Sequence, residues 1–92
     1  MLLKNGKIIN PARNIEGMSD IRIENGVIKE ISQNITPEKG EQVYDLTGKI
    51  VTPGFVDMHC HLREPGYEAK ETIKTGIESA IQGGYSAICP MA

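Results

Sequence analysis

No apolar run in this sequence exceeds a few residues. Nor does the start, Met1-Leu2-Leu3-Lys4-Asn5-Gly6, carry a charged segment followed by a long apolar stretch. Neither a signal peptide nor a membrane span is expected, and the chain reads as cytoplasmic. Charge of one sign is missing too: ten basic and twelve acidic residues leave a formal net charge of -2, which gives no reason to expect a nucleic-acid partner. Cysteine occurs only twice, at Cys60 and Cys89. Without a secretion signal both thiols should stay reduced, so no structural disulfide is expected. The ten glycines fall mostly singly in turns, and no glycine-rich phosphate cradle is present. With 92 residues the chain has room for one small domain with little stability to spare.

What is present divides at Pro53-Gly54. Before it, short β segments alternate with turns. Leu2-Leu3-Lys4 and Lys7-Ile8-Ile9 flank Asn5-Gly6, which predicts a first hairpin. Ile21, Ile23 and Val27 alternate with polar residues around Asn25-Gly26 and predict a second. Further strands are expected at Gln42-Val43-Tyr44-Asp45 and Lys49-Ile50-Val51, turning at Leu46-Thr47-Gly48.

Beyond Pro53 the mostly apolar Phe55-Val56-Asp57-Met58 suits a strand covered on both faces. Ile73, Ile77, Ala80 and Ile81 then recur at helical spacing, with Gly76 on the same stripe. Thr72 or the residues just before it should start this helix, and Gly83-Gly84 should stop it. Tyr85-Ser86-Ala87-Ile88-Cys89 reads as a second buried strand. Strand, helix, strand is the pattern of a βαβ crossover in a parallel sheet. One helix cannot cover both faces of a two-stranded sheet, so the chain is expected to be the N-terminal part of something larger.

Both histidines of the chain lie in one tripeptide, His59-Cys60-His61, after the first of these strands. In an extended strand Asp57, His59 and His61 share one face, with imidazole-bearing Cα atoms about 7 Å apart at about 3.3 Å per residue. Two such rings suit a shared metal at Zn–N distances of about 2.0–2.1 Å. The plain alternative is a pair of unrelated, solvated histidines, since two do not complete a coordination sphere. Their position at the C-terminal end of a strand in a βα unit, where α/β barrels place their sites, favours the metal. Cys60 points to the other face and is expected to pack under the helix as a small hydrophobe, and Cys89 likewise reads as core. Asp57 either orients a ligand histidine or satisfies nearby backbone groups, and the first is preferred. The guanidinium fork of Arg63 suits a carboxylate held beside the metal, with a surface salt bridge to Glu64 or Glu68 as its alternative. Glu64 and Glu68 are assigned no catalytic role.

The run Pro53-Gly54-Phe55-Val56-Asp57-Met58-His59-Cys60-His61-Leu62-Arg63-Glu64-Pro65-Gly66 resembles the cyclic amidohydrolases, most closely their dihydroorotase branch. The Asn-Gly turns, Val51-Thr52-Pro53-Gly54, Tyr67 to Thr75, Gly83-Gly84 and Ala87-Ile88-Cys89-Pro90-Met91 extend the resemblance along the chain. It implies an α/β architecture: residues 1–52 as the N-terminal β-rich segment of a composite domain, and residues 53–92 as the first βαβ unit of an incomplete TIM (β/α)8 barrel. It further implies His59 and His61 as metal ligands, His61 and Arg63 as substrate-binding residues, and one or two Zn2+ ions as cofactor. The implied reaction is reversible cyclisation of N-carbamoyl-L-aspartate to L-dihydroorotate, in pyrimidine synthesis.

The family's bridging lysine or aspartate, two later histidines, general-base aspartate and substrate-binding asparagine have no counterpart in these residues, and no catalytic residue is expected within them. Met91-Ala92 also departs from the family's common Met-Pro. Because a (β/α)8 barrel takes about 250 residues, these 92 alone are expected neither to turn over substrate nor to hold zinc tightly. Exposed strand edges suggest self-association or association with other chains. Allantoinase shares nearly the same motif and is the closest enzyme alternative. Non-catalytic dihydroorotase-like assembly proteins are the alternative of another class, and the ligand histidines argue against them.

Overall fold

In the computed structural model, which describes residues 1–92, the first unit (Met1–Pro53) is organised around one long strand, β1 (Leu2–Asn10). Strand β1 pairs antiparallel with β2 (Ile15–Glu24), and β2 pairs antiparallel with β3 (Val27–Ser32). Asn25 (φ 51°) and Gly26 (φ 74°) close the β2–β3 hairpin with two positive φ angles. A two-residue turn whose twist matches its strands needs this, and it is why Asn-Gly serves there.

The other Asn-Gly pair behaves differently from the sequence expectation. Strand β1 runs straight through Asn5-Gly6, and no hairpin forms at that point. Instead Leu3 faces Ile21 while Gly6 faces Ser19, so β1 carries one extra residue and Asn5 takes a φ of 65°. A left-handed asparagine serves a β-bulge as well as a turn, and here the backbone N–H of Asn5 donates to Asp20 Oδ1 at 2.8 Å. The chain reverses later, through a 3-10 turn at Pro11–Arg13 ended by left-handed Asn14.

Strands β4 (Val43–Asp45) and β5 (Ile50–Val51) lie where the sequence pattern put them, but not as a hairpin with each other. Both run parallel to β1, β4 beside Leu2–Lys4 and β5 beside Lys7 and Ile8.

Leu2, Ile8, Ile21 and Ile35 are buried in this unit. Among them sits a carboxylate, Asp20, only 3% exposed. Burying a charge requires partners, and Asp20 has three: Lys4 Nζ at 2.7 Å, Asn5 N at 2.8 Å and Ile35 N at 2.9 Å. A second ion pair joins Arg22 to Glu41 by two parallel bonds of 2.9 Å each, from Nε and Nη2.

The second unit (Gly54–Ala92) is a βαβ arrangement: β6 (Phe55–Cys60), α1 (Ile73–Gln82) and β7 (Tyr85–Pro90), with the two strands parallel. Helix α1 begins where the sequence predicts. Thr72 caps it by accepting from Thr75 N, while the Thr75 hydroxyl accepts from Thr72 N. At its other end Gly83 and Gly84 (φ 87°) release the chain into β7.

Burial departs from the expected stripe, because α1 meets the strands along Gly76 and Ala80, whereas Ile73, Ile77 and Ile81 remain exposed. Strand β6 is not covered on both faces either: Val56 and Met58 are open to solvent, since the unit's single helix lies on one side only. No helix is long and apolar enough to cross a membrane.

Candidate metal and carboxylate site

The backbone of β6 is drawn close to β7 at its start. A Cβ on Gly54 would stand 2.6 Å from Ser86 Cβ, so glycine is what lets the two segments approach. Phe55 N donates to Gly84 O at 3.0 Å, and Met91 N donates to Cys60 O at 2.8 Å at the far end. Between these anchors the register slips: Asp57 faces Ile88 and Cys60 faces Pro90, three steps along β6 against two along β7.

This bulge corrects the expected alternation, since an extra residue reverses the parity of everything beyond it. Asp57 and Cys60 line the same hollow of ≈ 380 Å³ beneath α1, with Leu62, Glu71 and Gly76. Asp57 does not act as a support for an imidazole. Its Oδ1 accepts from His59 N at 3.0 Å, the backbone-satisfying role weighed against the preferred one. Cys60 packs toward the helix as expected. Burial pushes its thiol pKa up, and the Asp57 carboxylate adds to the shift, both disfavouring the thiolate.

His59 is the penultimate residue of β6 and His61 follows just past the strand, both exposed. Their ring centres lie 5.3 Å apart with planes at 71°. A metal about 2.0–2.1 Å from one nitrogen of each ring sits about 3.2 Å from each ring centre, and at a tetrahedral angle two such centres are about 5.2 Å apart. The spacing fits a shared ion. No cluster of three or more His, Cys, Asp or Glu side chains suited to a metal occurs, and two imidazoles alone would leave a coordination sphere incomplete.

Leu62, between His61 and Arg63, is buried and tucks against α1; a Cβ on Gly76 would come within 2.6 Å of its Cδ2. Arg63 then takes a left-handed backbone conformation (φ 63°), costly for a residue with a long side chain, about 1–3 kcal/mol. Its carbonyl accepts from Tyr67 N at 2.8 Å. The side chain is exposed and forms no ion pair with Glu64 or Glu68 within 4.0 Å, so the salt-bridge alternative is not realised. With His61, Pro65, Tyr67 and Met91 it lines a hollow of ≈ 190 Å³.

Glu68 accepts from Gly66 N at 3.0 Å and serves the loop. Glu64 has a role the sequence did not reveal: its Oε2 accepts from Ile73 N, the first amide of α1, at 2.6 Å. Nine residues separate the partners, so no local capping signature announces the bond.

The sequence profile of dihydro-orotase-like proteins matches residues 48–92, which hold the whole of this constellation. That segment is similar to the dihydro-orotase-like family. Among curated relatives, a dihydroorotase of Listeria monocytogenes is 49% identical over 90 residues, covering 98% of this chain and 21% of its own length. One of Syntrophus aciditrophicus is 50% identical over 93 residues, covering 99% of this chain and 22% of its own. The chain thus spans about a fifth of the length of the dihydroorotases it matches. Among solved structures, a D-hydantoinase (dihydropyrimidinase) from Thermus sp. matches with a TM-score of 0.74 and 38% identity, over 95% of this chain and 19% of that one. The resemblance read from the motif therefore holds, as does the expected architecture of a β-rich segment followed by a βαβ unit.

Proposed function

We propose that this chain carries two metal ligands and the carboxylate-binding arginine of a zinc-dependent dihydroorotase. The reaction is the reversible cyclisation of N-carbamoyl-L-aspartate to L-dihydroorotate, in pyrimidine biosynthesis in the cytoplasm. The observation that carries this reading is the pairing of His59 and His61 at 5.3 Å, with Arg63 on the wall of a hollow that His61 also lines.

His59 and His61 hold the ion, of which the complete enzyme takes one or two. When bound, zinc supplies Lewis-acid polarisation of the amide carbonyl and acidifies water. Ring closure joins the ureido nitrogen to the side-chain carboxyl with loss of water, leaving the α-carboxylate free. Arg63 takes that carboxylate as a two-pronged donor, a geometry lysine does not offer, and His61 forms the wall between carboxylate and metal. Cys60, which lines the hollow beneath α1, takes no part in the chemistry. No residue of this chain is assigned the proton transfer, and the 92 residues alone are inactive in this reading. The exposed Val56, Met58, Ile77 and Ile81 support association with itself or with further polypeptide.

The test is a fusion of residues 1–92 to the part of the Listeria monocytogenes relative beyond its matching fifth. It should interconvert carbamoyl aspartate and dihydroorotate and lose turnover on His59→Ala, His61→Ala or Arg63→Ala. Turnover of allantoin or hydantoin but not dihydroorotate, or full activity without His59 and His61, would overturn the reading.

A further inference from the structure

A left-handed arginine persists only where its surroundings hold it. At Arg63 two ties do the holding: its carbonyl accepts from Tyr67 N, and the next residue, Glu64, is tied by its carboxylate to Ile73 N at 2.6 Å. That second tie is more than an ordinary helix cap. Thr72 and Thr75 already form a reciprocal cap at the start of α1, and a carboxylate among the first amides of a helix gains further from its positive end. What Glu64 adds is a link across nine residues that fastens the segment after His61 to a ten-residue helix.

We propose that Glu64 is a positioning residue for Arg63. Its carboxylate, anchored on α1, holds Arg63 in the left-handed conformation and so on the wall of the hollow shared with His61, ready for a carboxylate-bearing substrate. The proposal rests on the reading of Arg63 given above. Without the anchor, Arg63 returns to an ordinary φ and its side chain leaves that wall.

The experiment uses the 92-residue chain with zinc present and N-carbamoyl-L-aspartate as the probe. Two quantities are read by NMR: the one-bond Cα–Hα coupling of Arg63, which reports the sign of its φ without any ligand, and the shift of the Arg63 Nε–Hε signal as the probe is added. The parent chain should show positive φ and a saturating shift. Glu64→Ala should lose the positive φ and weaken the probe at least about five-fold. Glu64→Gln, which keeps an acceptor for Ile73 N, should restore most of both. Thr72→Ala weakens the same helix start without touching the anchor, so it should leave φ and affinity as in the parent.

Unchanged φ and affinity in Glu64→Ala would overturn the positioning role. Equal losses in Thr72→Ala would overturn it as well, reducing Glu64 to a helix cap. If the parent signal ignores the probe while Glu64 still governs φ, the carboxylate role of Arg63 fails, and the proposed purpose of the anchor with it.

Discussion

Replacing Asp20 by alanine should cost the first unit about 3 kcal/mol. The carboxylate is 3% exposed and accepts three hydrogen bonds, so its removal strands Asn5 N and Ile35 N and takes a partner from Lys4 Nζ. Each stranded buried amide costs about 1–3 kcal/mol. Asn5 is at the surface, where water replaces the lost acceptor, so its share falls at the low end. The Lys4 side chain is 23% exposed and keeps the Ile35 carbonyl at 2.8 Å, so its loss is that of a partly screened pair, at most about 1 kcal/mol.

A change of about 3 kcal/mol is large against the 5–15 kcal/mol typical of a whole domain. With a slope of about 1–3 kcal/mol/M it moves the urea midpoint, followed by far-UV circular dichroism, by about 1–3 M. Asp20→Asn keeps one acceptor and should lose about half as much.

The same carboxylate gives the variant a pH signature. Hydrogen bonding from Lys4 is the largest cause holding the Asp20 pKa below its ordinary value of 3.8. Arg22 holds Glu41 down to about 2 from 4.5. Groups with depressed folded-state pKa values bind fewer protons folded than unfolded, so the stability they add is complete above about 4.5 and is lost as pH falls toward about 2. Asp20→Ala should therefore flatten, without abolishing, the acid loss of stability. A variant within about 0.5 kcal/mol of the parent at pH 7, or one with an unchanged acid profile, would refute the assignment of Asp20 as the buried anchor of the sheet.

Other consequences are as direct. Gly76→Val should destabilise the second unit by about 2 kcal/mol through overpacking against Leu62, and Gly76→Ala by less, since alanine gains about 1 kcal/mol of helix propensity; thermal melts compare the two. Thr72→Ala removes the cap of α1 and should cost about 1 kcal/mol, read as a lower melting temperature. Arg22→Lys forfeits the two-pronged bond to Glu41, whose carboxyl, followed by carbon NMR, should titrate above about 2 and nearer 4.5.

Local pattern carried much of the fold. The Asn25-Gly26 hairpin, the start of α1 at Thr72 and its stop at Gly83-Gly84 each follow from residues adjacent in sequence, and each stands in the structure. Asn5-Gly6 misled because a left-handed asparagine suits a bulge as well as a turn, and the choice is made by Asp20, fifteen residues away. The parallel pairing of β4 and β5 with β1 was hidden for the same reason: strand partners are decided between distant segments.

At the site, the proximity of the two imidazoles was legible from their spacing. The parity of Asp57 was not, since the bulge of β6 is a property of its pairing with β7. Nor was the Glu64 anchor, whose partner begins a different element.

The central claim is that His59 and His61 close on one ion, and these are the only histidines of the chain. Following the two imidazole Cε1–H signals as zinc is added to the 92-residue chain tests it most directly, with assignments from His59→Gln and His61→Gln. Both signals should move together with one shared midpoint, weakly, because two ligands leave at least two positions to water. Either substitution should abolish the response of the remaining ring. Independent midpoints, or a remaining ring that responds as before, would contradict the shared site. Tight stoichiometric binding would contradict its description as half of one.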